Sequence, residues 1–310
     1  MIFMGTPDFA VPALDSLVQS EEEIIRVVTQ PDRPKGRKQI LTPSPVKLAA
    51  EKYHLPILQP ERIKDADFIK IIKTLSPEVM IIVAFGQILP PVLLNIPRLG
   101  CINVHASLLP KYRGAAPVHW AIINGEKETG VTTMLLDAGL DTGPMLRTGA
   151  IPILGDDTGV SLSQKLSVLG AKVLMETLED LKNGRLRPIP QDPQKATYAP
   201  ILKKKDGEVR WDESAERIER KARALTFWPG MYTYHDRALL KLTKIEAVEG
   251  LFRGETGEVL GIDKGSILIA TGEGGALKIL EVQPENGIKM TISQYLAGHP
   301  MKKGERLGEK

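Results

Sequence analysis

Short apolar runs alternate with segments of helical periodicity over residues 1–187. The runs predict strands, and the stretch 79–85, apolar at every position, is typical of a parallel strand covered on both faces. The succession of strands and helices favours a doubly wound, mostly parallel Rossmann-like sheet. The predicted strands are 1–4, 24–29, 79–85, 101–105 and 130–136, and the predicted helices are 45–53, 65–75, 116–124 and 161–183, besides a first helix with Thr6 as N-cap and Pro7 as its first residue.

The periodic pattern ends in a proline-rich stretch. Between residues 183 and 205 four prolines interrupt the chain and apolar periodicity is lost, which indicates a linker. Beyond it, one helix over 214–225 and five short strands separated by Gly and Asp favour a small OB-like β-barrel. The sequence therefore predicts an α/β domain over 1–187, a Pro/Lys-rich linker over 188–205 and a C-terminal OB-like domain over 206–310. The five strands are expected at 231–235, 239–247, 257–262, 266–271 and 276–283, and the residues from His299 onward are expected to fray.

The composition is that of an ordinary globular protein. The chain has 310 residues, 42% of them hydrophobic and 25% charged, and its longest apolar runs are too short to cross a bilayer. The first residues lack a basic segment followed by a long apolar one, so no secretory signal is expected. Cys101 is the single cysteine, which excludes an intramolecular disulfide and a metal site built on cysteines. We therefore expect a cytoplasmic protein with no membrane partner and no obligate protein partner.

Positive charge is concentrated in two connecting segments, although the net charge is only +3. Residues 32–47 hold five Lys/Arg and one acidic residue, and residues 182–205 hold seven and one. Residues 206–310, with sixteen basic and seventeen acidic residues, are nearly neutral. Clustered Lys/Arg can follow the phosphates of a nucleic acid, although solvated loops have the same composition. The basic residues considered for such contacts are Arg33, Lys35, Arg37, Lys38, Lys203, Lys204 and Lys205.

Two polar residues at the end of the predicted strand 101–105 are the best candidates for catalysis. Asn103 and His105 are two positions apart, so in a strand their side chains share one face. An amide and a protonated imidazole there can both donate to an oxygen that becomes negative in a tetrahedral intermediate. One such donor is typically worth about 3–4 kcal/mol to the transition state. The alternative for His105 is an interior histidine whose hydrogen bonds are satisfied.

A carboxylate from the glycine-rich turn 137–144 completes the candidate set. Asp141 would favour the charged form of the imidazole and, through a water, help to remove a proton from an attacking amine. Asp137 competes for this role, and either aspartate can serve only to bond the backbone of its own turn.

The residues that follow the strands 79–85 and 101–105 are expected at the carboxyl edge of the sheet, where doubly wound folds bind ligands. The proline-ended apolar turn 107–110 suits a flat heteroaromatic ligand, or else it plugs the core. The candidate ligand-binding residues are Phe85, Gly86, Gln87, Ser107, Leu108, Leu109 and Pro110.

Rival chemistries have weaker support. Ser107 as a nucleophile lacks the Gly-x-Ser-x-Gly elbow. Cys101 shares the strand face of Asn103 and His105, but its apolar neighbours favour a buried structural thiol. The turn 5–8 does not match the dinucleotide-binding fingerprint, and the sequence contains neither a P-loop nor His-Glu-x-x-His.

Together these motifs resemble the folate-dependent formyltransferases. Asn103-x-His105 with residues 107–110, and Asp141 thirty-eight residues after Asn103, are similar to the family's catalytic pattern. The resemblance is closer to the branch that acts on methionyl-tRNA than to those that act on a purine-pathway ribonucleotide or a nucleotide sugar. Further motifs similar to that branch are Met4-Gly-Thr-Pro-Asp-Phe-Ala-Val-Pro12, Thr29-Gln-Pro-Asp-Arg-Pro34, Pro43-Ser-Pro-Val-Lys47, Lys111-Tyr-Arg-Gly-Ala-Ala-Pro117 and Ala224-Leu-Thr-Phe-Trp-Pro-Gly230.

The resemblance implies direct transfer of the formyl group of 10-formyltetrahydrofolate to the α-amino group of methionine on initiator tRNA. By similarity, Asn103, His105 and Asp141 are the catalytic trio, and residues 107–110 form the folate-binding loop. The resemblance also implies that Arg37 lies in an inserted loop that contacts tRNA. No metal is expected, because folate carries an already activated one-carbon unit.

Two features depart from the family pattern. Phe227 stands where a proline is expected, and residues 206–310 are less basic than an RNA-binding barrel would be, so the linker and the Arg37 loop are expected to contribute more to tRNA binding. Two other functions remain open. One is formylation of an amino-sugar nucleotide, which needs neither basic segment, and the other is a non-catalytic RNA-binding protein that kept the fold.

Overall fold

The computed structural model of the protein describes residues 1–36 and 39–308. Contacts within the chain gather its residues into two compact units. The first unit comprises residues 1–117, 128–152 and 163–199, and the second comprises residues 118–127 and 153–162 and the chain from Pro200 onward. The domain limits drawn from the sequence at 187 and 205 stay a prediction.

The first unit is built on a mostly parallel sheet. Its described strands are β1 (Ile2–Gly5), β2 (Arg26–Val28), β3 (Arg33–Lys35), β4 (Ile40–Thr42), β5 (Ile57–Leu58), β6 (Met80–Val83), β7 (Cys101–His105), β8 (Glu128–Leu135) and β9 (Met145–Pro152). Seven of these strands join in the order β5-β2-β1-β6-β7-β8-β9, while β3 and β4 pair as a separate hairpin. From β5 to β7 each pair is parallel, and β8 and β9 add antiparallel pairs. The predicted Rossmann-like sheet is confirmed.

The described helices are α1 (Val11–Val18), α2 (Pro45–Lys52), α3 (Ala66–Leu75), α4 (Pro91–Leu94), α5 (Pro117–Ile123), α6 (Gly159–Lys182), α7 (Ala215–Ala224) and α8 (Ile292–Gly298). Ser44 caps α2, because its hydroxyl accepts the Lys47 amide at 3.0 Å. No helix within the described parts of the chain is long and apolar enough to cross a membrane.

The central strands are covered on both faces. Met4 of β1 and Ile82 of β6 join Phe68 of α3 and Leu93 of α4 in one buried cluster. The intervening residues of β1 and β6 are buried as well, so each strand packs on both sides. This burial explains why residues 79–85 are apolar at every position.

Three local features differ from the sequence expectations. Thr6 does not cap a helix: a 3₁₀ turn (Asp8–Ala10) precedes α1, and the Thr6 hydroxyl instead donates to the carbonyl of Phe85 at 2.8 Å. The edge strand β9 and the hairpin of β3 and β4 were not predicted. Both have mostly exposed or half-buried residues, so apolar alternation is weak there.

The second unit contains an antiparallel sheet, which confirms the predicted barrel-like C-terminal fold. Its described strands are β10 (Met231–His235), β11 (Ala238–Val248), β12 (Val259–Ile262), β13 (Ile267–Ala270), β14 (Ala276–Pro284) and β15 (Met290–Thr291). They run in the order β10-β11-β14-β13-β12, and the short β15 pairs with β14. Helix α7 packs on the sheet through its contacts with β11.

The segment 304–308 connects the two edge strands of this sheet. The amide of Gly304 donates to Val259 of β12, while that of Gly308 donates to Tyr234 of β10, both at 2.9 Å. Leu307 is only 4% exposed. The expectation that the chain frays from His299 onward is therefore wrong for these residues, since their backbone pairs with both edges.

Candidate functional site

Strand β7 places Asn103 and His105 on one face of the sheet. It is an interior strand, in which Asn103 pairs with Ile82 of β6 and His105 pairs with Thr132 of β8. The residue between them, Val104, is buried on the opposite face. Asn103 is half-buried, and its side-chain amide forms no hydrogen bond with the residues that the structure describes. It is therefore available to a ligand.

The imidazole of His105 is held in one orientation. It is 6% exposed, and its Nε2 lies 2.9 Å from the carbonyl oxygen of Tyr112. A carbonyl can only accept, so Nε2 carries the proton of this hydrogen bond. Nδ1 is consequently the ring nitrogen left for a reacting group, as donor or acceptor according to its protonation.

Asp141 faces that free ring nitrogen. Its Oδ2 lies 3.7 Å from Nδ1 of His105, which is too long for a direct hydrogen bond but close for an electrostatic interaction. The same oxygen accepts the backbone amide of Gly114 at 2.8 Å. Asp137 instead bonds its own turn, accepting from Gly139 and Thr142. The structure thus brings Asp141, rather than Asp137, to the imidazole.

The position of Asp141 depends on a residue that the sequence did not single out. Asp141 has a left-handed backbone with φ of +52°, which is uncommon outside glycine. The side-chain amide of Gln191 donates to the carbonyls of Asp141 and Gly143, at 2.8 and 2.7 Å. Gln191 thereby fixes the turn on which the carboxylate is carried.

Gln191 is in turn held by Arg113. Its side-chain oxygen accepts from Nε and Nη2 of Arg113 at 3.0 and 2.8 Å, and Arg113 is only 5% exposed. Arg113 also pairs with the segment around Tyr198 by backbone bonds to Thr197 and Ala199. The proline-rich stretch is therefore attached here to the first unit. Sequence patterning offered no signal for Gln191, because it stands alone among loop residues.

The turn 107–110 is bonded internally and to β8. Ser107 is fully buried, and its hydroxyl donates to the Lys111 carbonyl at 2.6 Å, which argues against a nucleophilic serine. Thr132 accepts the amide of Leu109 at 3.1 Å and donates to the carbonyl of Ser107 at 2.7 Å. The half-buried side chains of Leu108 and Pro110 are the parts of this turn that remain accessible.

The second candidate turn is only partly accessible. Phe85 is 2% exposed and belongs to the core, and its carbonyl accepts the Thr6 hydroxyl. Gln87 is turned toward residues 61–63, where its side-chain oxygen accepts the Ile63 amide at 3.1 Å. A Cβ on Gly86 would meet only Nε2 of Gln30, in ordinary van der Waals contact at 3.9 Å, so the backbone there is not tightly covered by described atoms.

Cys101 is a structural thiol. It is 1% exposed within the core, and burial raises the pKa of its thiol to about 12. The side chain is therefore a neutral, inert group near neutral pH.

The basic candidates have different surroundings. Arg33 pairs with Glu61 at 2.7 Å, and both side chains are exposed. Lys35 lies in β3, and Arg37 and Lys38 lie outside the described residues. Lys203, Lys204 and Lys205 are exposed, and none forms an ion pair with a described residue.

The hairpin of β3 and β4 is anchored at its base. Asp32 accepts Nζ of Lys47 at 2.7 Å and the side-chain amide of Gln59 at 2.8 Å. The hydrogen bond from Lys47, with that from Gln59, lowers the pKa of the Asp32 carboxyl. The ends of the basic loop are thus fixed to α2 and to the segment after β5.

The chain matches two family models and many known proteins. The family model described as "Formyl transferase" matches residues 1–178, and that described as "Formyl transferase, C-terminal domain" matches residues 201–300. The methionyl-tRNA formyltransferase of Geobacter sulfurreducens is 50% identical over 309 residues, covering 100% of this chain and 96% of its own. That of Caldanaerobacter subterraneus subsp. tengcongensis is 50% identical over 305 residues, covering 98% of each.

Solved structures share the fold. An N-formyltransferase from Helicobacter canadensis, in complex with folinic acid and dTDP-3-aminofucose, has a TM-score of 0.66 at 18% identity, covering 90% of this chain and 98% of its own. A methionyl-tRNA formyltransferase from Clostridium thermocellum has a TM-score of 0.55 at 17% identity, covering 79% and 92%. Both family models match in order, and relatives that are 47–50% identical cover the whole chain. The chain therefore belongs to the formyltransferase family, in the methionyl-tRNA formyltransferase branch.

Proposed function

We propose that the protein transfers the formyl group of 10-formyltetrahydrofolate to the α-amino group of methionine on initiator tRNA. The observation that carries the proposal is the convergence of Asn103, His105 and Asp141 at the end of β7, with Nδ1 of His105 turned toward the carboxylate. Curated relatives along the whole chain bear the name of this activity. The charged acceptor is made where translation takes place, so we place the protein in the cytoplasm.

The proposed reaction is an attack of the amine on the formyl carbon. A new C–N bond forms, the bond from the formyl carbon to the folate N10 breaks, and the proton of the amine passes to N10. The Asn103 amide and a protonated Nδ1 of His105 donate to the oxygen that becomes negative between these steps. Asp141 stabilises the positive imidazole and assists the proton transfer through a water.

The residues near β7 and β6 fit a flat folate ring system. Leu108 and Pro110 offer accessible apolar side chains, and the backbone at Gly86 is approached only by Gln30, at 3.9 Å from a built Cβ. Ser107, Leu109, Phe85 and Gln87 contribute by shaping these turns, since their own groups are buried or bonded within the protein.

The basic residues are proposed to bind tRNA. Lys203, Lys204 and Lys205 carry exposed ammonium groups, which suits phosphate contacts. Arg33, Lys35, Arg37 and Lys38 lie in sequence between Asp32 and Lys47, whose ion pair fixes the base of the hairpin of β3 and β4. A fixed base presents the loop to a ligand at a smaller ordering cost.

A formyl-transfer assay tests the proposal. The purified chain is given 10-formyltetrahydrofolate with charged initiator tRNA, with uncharged tRNA, or with a dTDP-amino sugar. Formylation of the charged tRNA alone is expected. Formylation of the sugar instead would identify a sugar-nucleotide enzyme, and tRNA binding without release of tetrahydrofolate would identify a non-catalytic binding protein.

A further inference from the structure

A loop of the second unit displays two aromatic side chains to solvent. Phe227 is 91% exposed and Trp228 is 49% exposed, and these adjacent residues lie three and four positions after the end of α7. Single exposed apolar side chains are common on protein surfaces, whereas adjacent exposed ones mark interaction sites when they form a patch. The two exposed rings are therefore a candidate surface for a ligand that packs on aromatic faces.

The loop is held at both ends. The amide of Gly230 donates to the carbonyl of Leu225 at 3.0 Å, which closes the turn. The segment from Gly207 to Val209 lies beside it, because the amide of Val209 donates to Tyr232 at 2.8 Å. A Cβ on Gly207 would lie only 2.0 Å from the carbonyl oxygen of Gly230. Two backbones in such close contact present the rings in a fixed place.

Three unpaired lysines precede that contact. Lys203, Lys204 and Lys205 are exposed and make no ion pair with any residue that the structure describes. Consecutive Cα atoms are about 3.8 Å apart, so the Cα atoms of Lys205 and Trp228 lie within about 20 Å of each other across the Gly207–Gly230 contact. Exposed rings and unpaired ammonium groups, here on two segments that touch, are the two components of a single-stranded nucleic-acid site.

We infer that Phe227 and Trp228 form a stacking platform for an unpaired base of the tRNA, whose neighbouring phosphates contact Lys203, Lys204 and Lys205. The inference rests on the proposed function, since it names where an RNA acceptor is held. An RNA fits better than an acidic protein, because the lysines would satisfy either partner but two adjacent, fixed rings match the faces of bases. The platform lies within the second unit and takes no part in the formyl transfer itself.

Equilibrium binding of initiator tRNA to the full chain tests the stacking. Phe227→Ala is expected to weaken binding about fivefold or more, with an unchanged slope of affinity against salt, because stacking involves no phosphate contact. Phe227→Tyr keeps a ring and is expected to bind as the wild type does. Leu251→Ala is the matched control, since Leu251 is also 91% exposed in the same unit. An unchanged affinity for Phe227→Ala, an equal loss for the control, or a changed salt slope would each overturn the inference.

Tryptophan fluorescence tests the contact directly. Of the three tryptophans, Trp211 is only 7% exposed, and Trp120 is half-buried and can add its own quenching, which Trp228→Phe would leave unchanged. Adding tRNA is expected to quench the emission of Trp228, and Trp228→Phe is expected to remove that quenching. A tRNA trimmed of its unpaired 3′ nucleotides decides whether the base comes from that end or from a loop. Quenching that persists in full in Trp228→Phe would overturn the inference.

Two parallel measurements separate this inference from the proposed function. A wild-type chain that binds RNA through the platform but does not formylate charged tRNA leaves the inference standing and refutes the function. A wild-type chain that formylates, with an unchanged KM for tRNA in Phe227→Ala, leaves the function standing and refutes the inference. A change of oligomeric state in Phe227→Ala, seen by sedimentation without a change in RNA affinity, would make the loop a protein interface.

Discussion

The carboxylate of Asp141 faces Nδ1 of His105 at 3.7 Å, while the other ring nitrogen of His105 donates to the carbonyl of Tyr112 at 2.9 Å. The ring therefore keeps its orientation when no substrate is bound. A reacting group that approaches Nδ1 meets an imidazole of fixed orientation with a carboxylate beside it. Substitutions that disturb either side chain, or the residues that hold it, should therefore change the rate of transfer.

Asn103→Ala should reduce kcat by about 10²–10³ without loss of the fold. The amide is half-buried and has no described hydrogen-bond partner, so its removal leaves little unsatisfied in the free protein. Loss of one donor to a developing oxyanion has an effect of that size. Steady-state kinetics and thermal unfolding measure the two quantities. Asn95→Ala, at an exposed helix end, serves as the control. If Asn103→Ala had the same kcat as this control, the catalytic role of Asn103 would be refuted.

Gln191→Ala should lower kcat about tenfold to a hundredfold with little change in the KM for tRNA. Without Gln191 the turn that carries Asp141 loses two hydrogen bonds, and a displacement of about 1 Å can reduce a rate by that much. The buried guanidinium of Arg113 also loses its acceptor, so the free energy of unfolding should fall by about 1–3 kcal/mol.

Gln191→Glu separates the two roles. A carboxylate keeps the contact with Arg113 but has no amide hydrogens for the carbonyls of Asp141 and Gly143. The second carboxylate oxygen would face both carbonyl oxygens, so we expect a reduced kcat and a loss of stability that comes from repulsion in the turn and not from an unpaired Arg113. The control is Gln283→Ala, where another glutamine side chain donates to a backbone carbonyl, that of Gly287, at 2.9 Å. Full activity in both Gln191 variants would show that the turn holds its shape without this residue.

Gly114→Ala should damage both stability and catalysis. Gly114 has φ of +113°, and a Cβ there would lie 2.8 Å from the carbonyl oxygen of Ala199. The backbone must shift, and its amide is the donor that holds Asp141. Gly184→Ala is a matched control, since φ is +63° but no described atom lies within 4 Å of the added Cβ. In Gly184→Ala the backbone strain alone should lower the free energy of unfolding by about 1–2 kcal/mol and leave kcat unchanged. If Gly114→Ala and Gly184→Ala had the same kcat, the predicted clash with the Ala199 carbonyl would be contradicted.

Cys101 should make the stability of the protein sensitive to high pH. Burial raises the pKa of the thiol from 9.0 to about 12, so the native state keeps its proton where the unfolded chain loses it. The stabilisation due to Cys101 is fully present below pH 9 and is lost as the pH rises toward 12, by about 1.4 kcal/mol per unit. Urea unfolding of the wild type and Cys101→Ala should show their difference shrinking by about that amount at pH 10 relative to pH 7. A constant difference would contradict a buried, protonated thiol.

Replacing Lys203, Lys204 and Lys205 by Ala should reduce the slope of log affinity for tRNA against log salt by up to about three, one for each phosphate that a lysine no longer neutralises. The KM for folate should not change. Lys302→Ala with Lys303→Ala removes two exposed lysines of the same unit and should leave the slope nearly unaltered. An equal effect of both sets would mean that net charge, rather than these three positions, governs binding.

The sequence predicted the features that depend on local pattern. Strand β7 follows from its apolar run, and the alternation of side chains along a strand is enough to place Asn103 and His105 on one face. The residue types alone proposed a carboxylate for His105 but left Asp141 and Asp137 as competitors, since thirty-six residues and strand β8 separate His105 from Asp141 in sequence, and the resemblance favoured Asp141.

Contacts made by isolated polar residues escaped prediction. The side chain of Gln191 donates a hydrogen bond to the carbonyl of Asp141, fifty residues away in sequence. Such a contact produces no periodic pattern of apolar and polar residues from which it could be predicted. The polar edge strand β9 was missed for a related reason, because few of its side chains are buried. Thr6 is not a helix cap because its hydroxyl donates to the carbonyl of Phe85, which is distant in sequence, and does not accept a helix amide.

The segment 304–308 occupies the outer edges of β12 and β10, and this has a practical consequence. A version of the protein shortened to His299 would leave both edges with free amides and carbonyls, which invite strand addition from neighbouring molecules. Such a version should aggregate during expression. Any tag or truncation should therefore leave residues 304–308 in place.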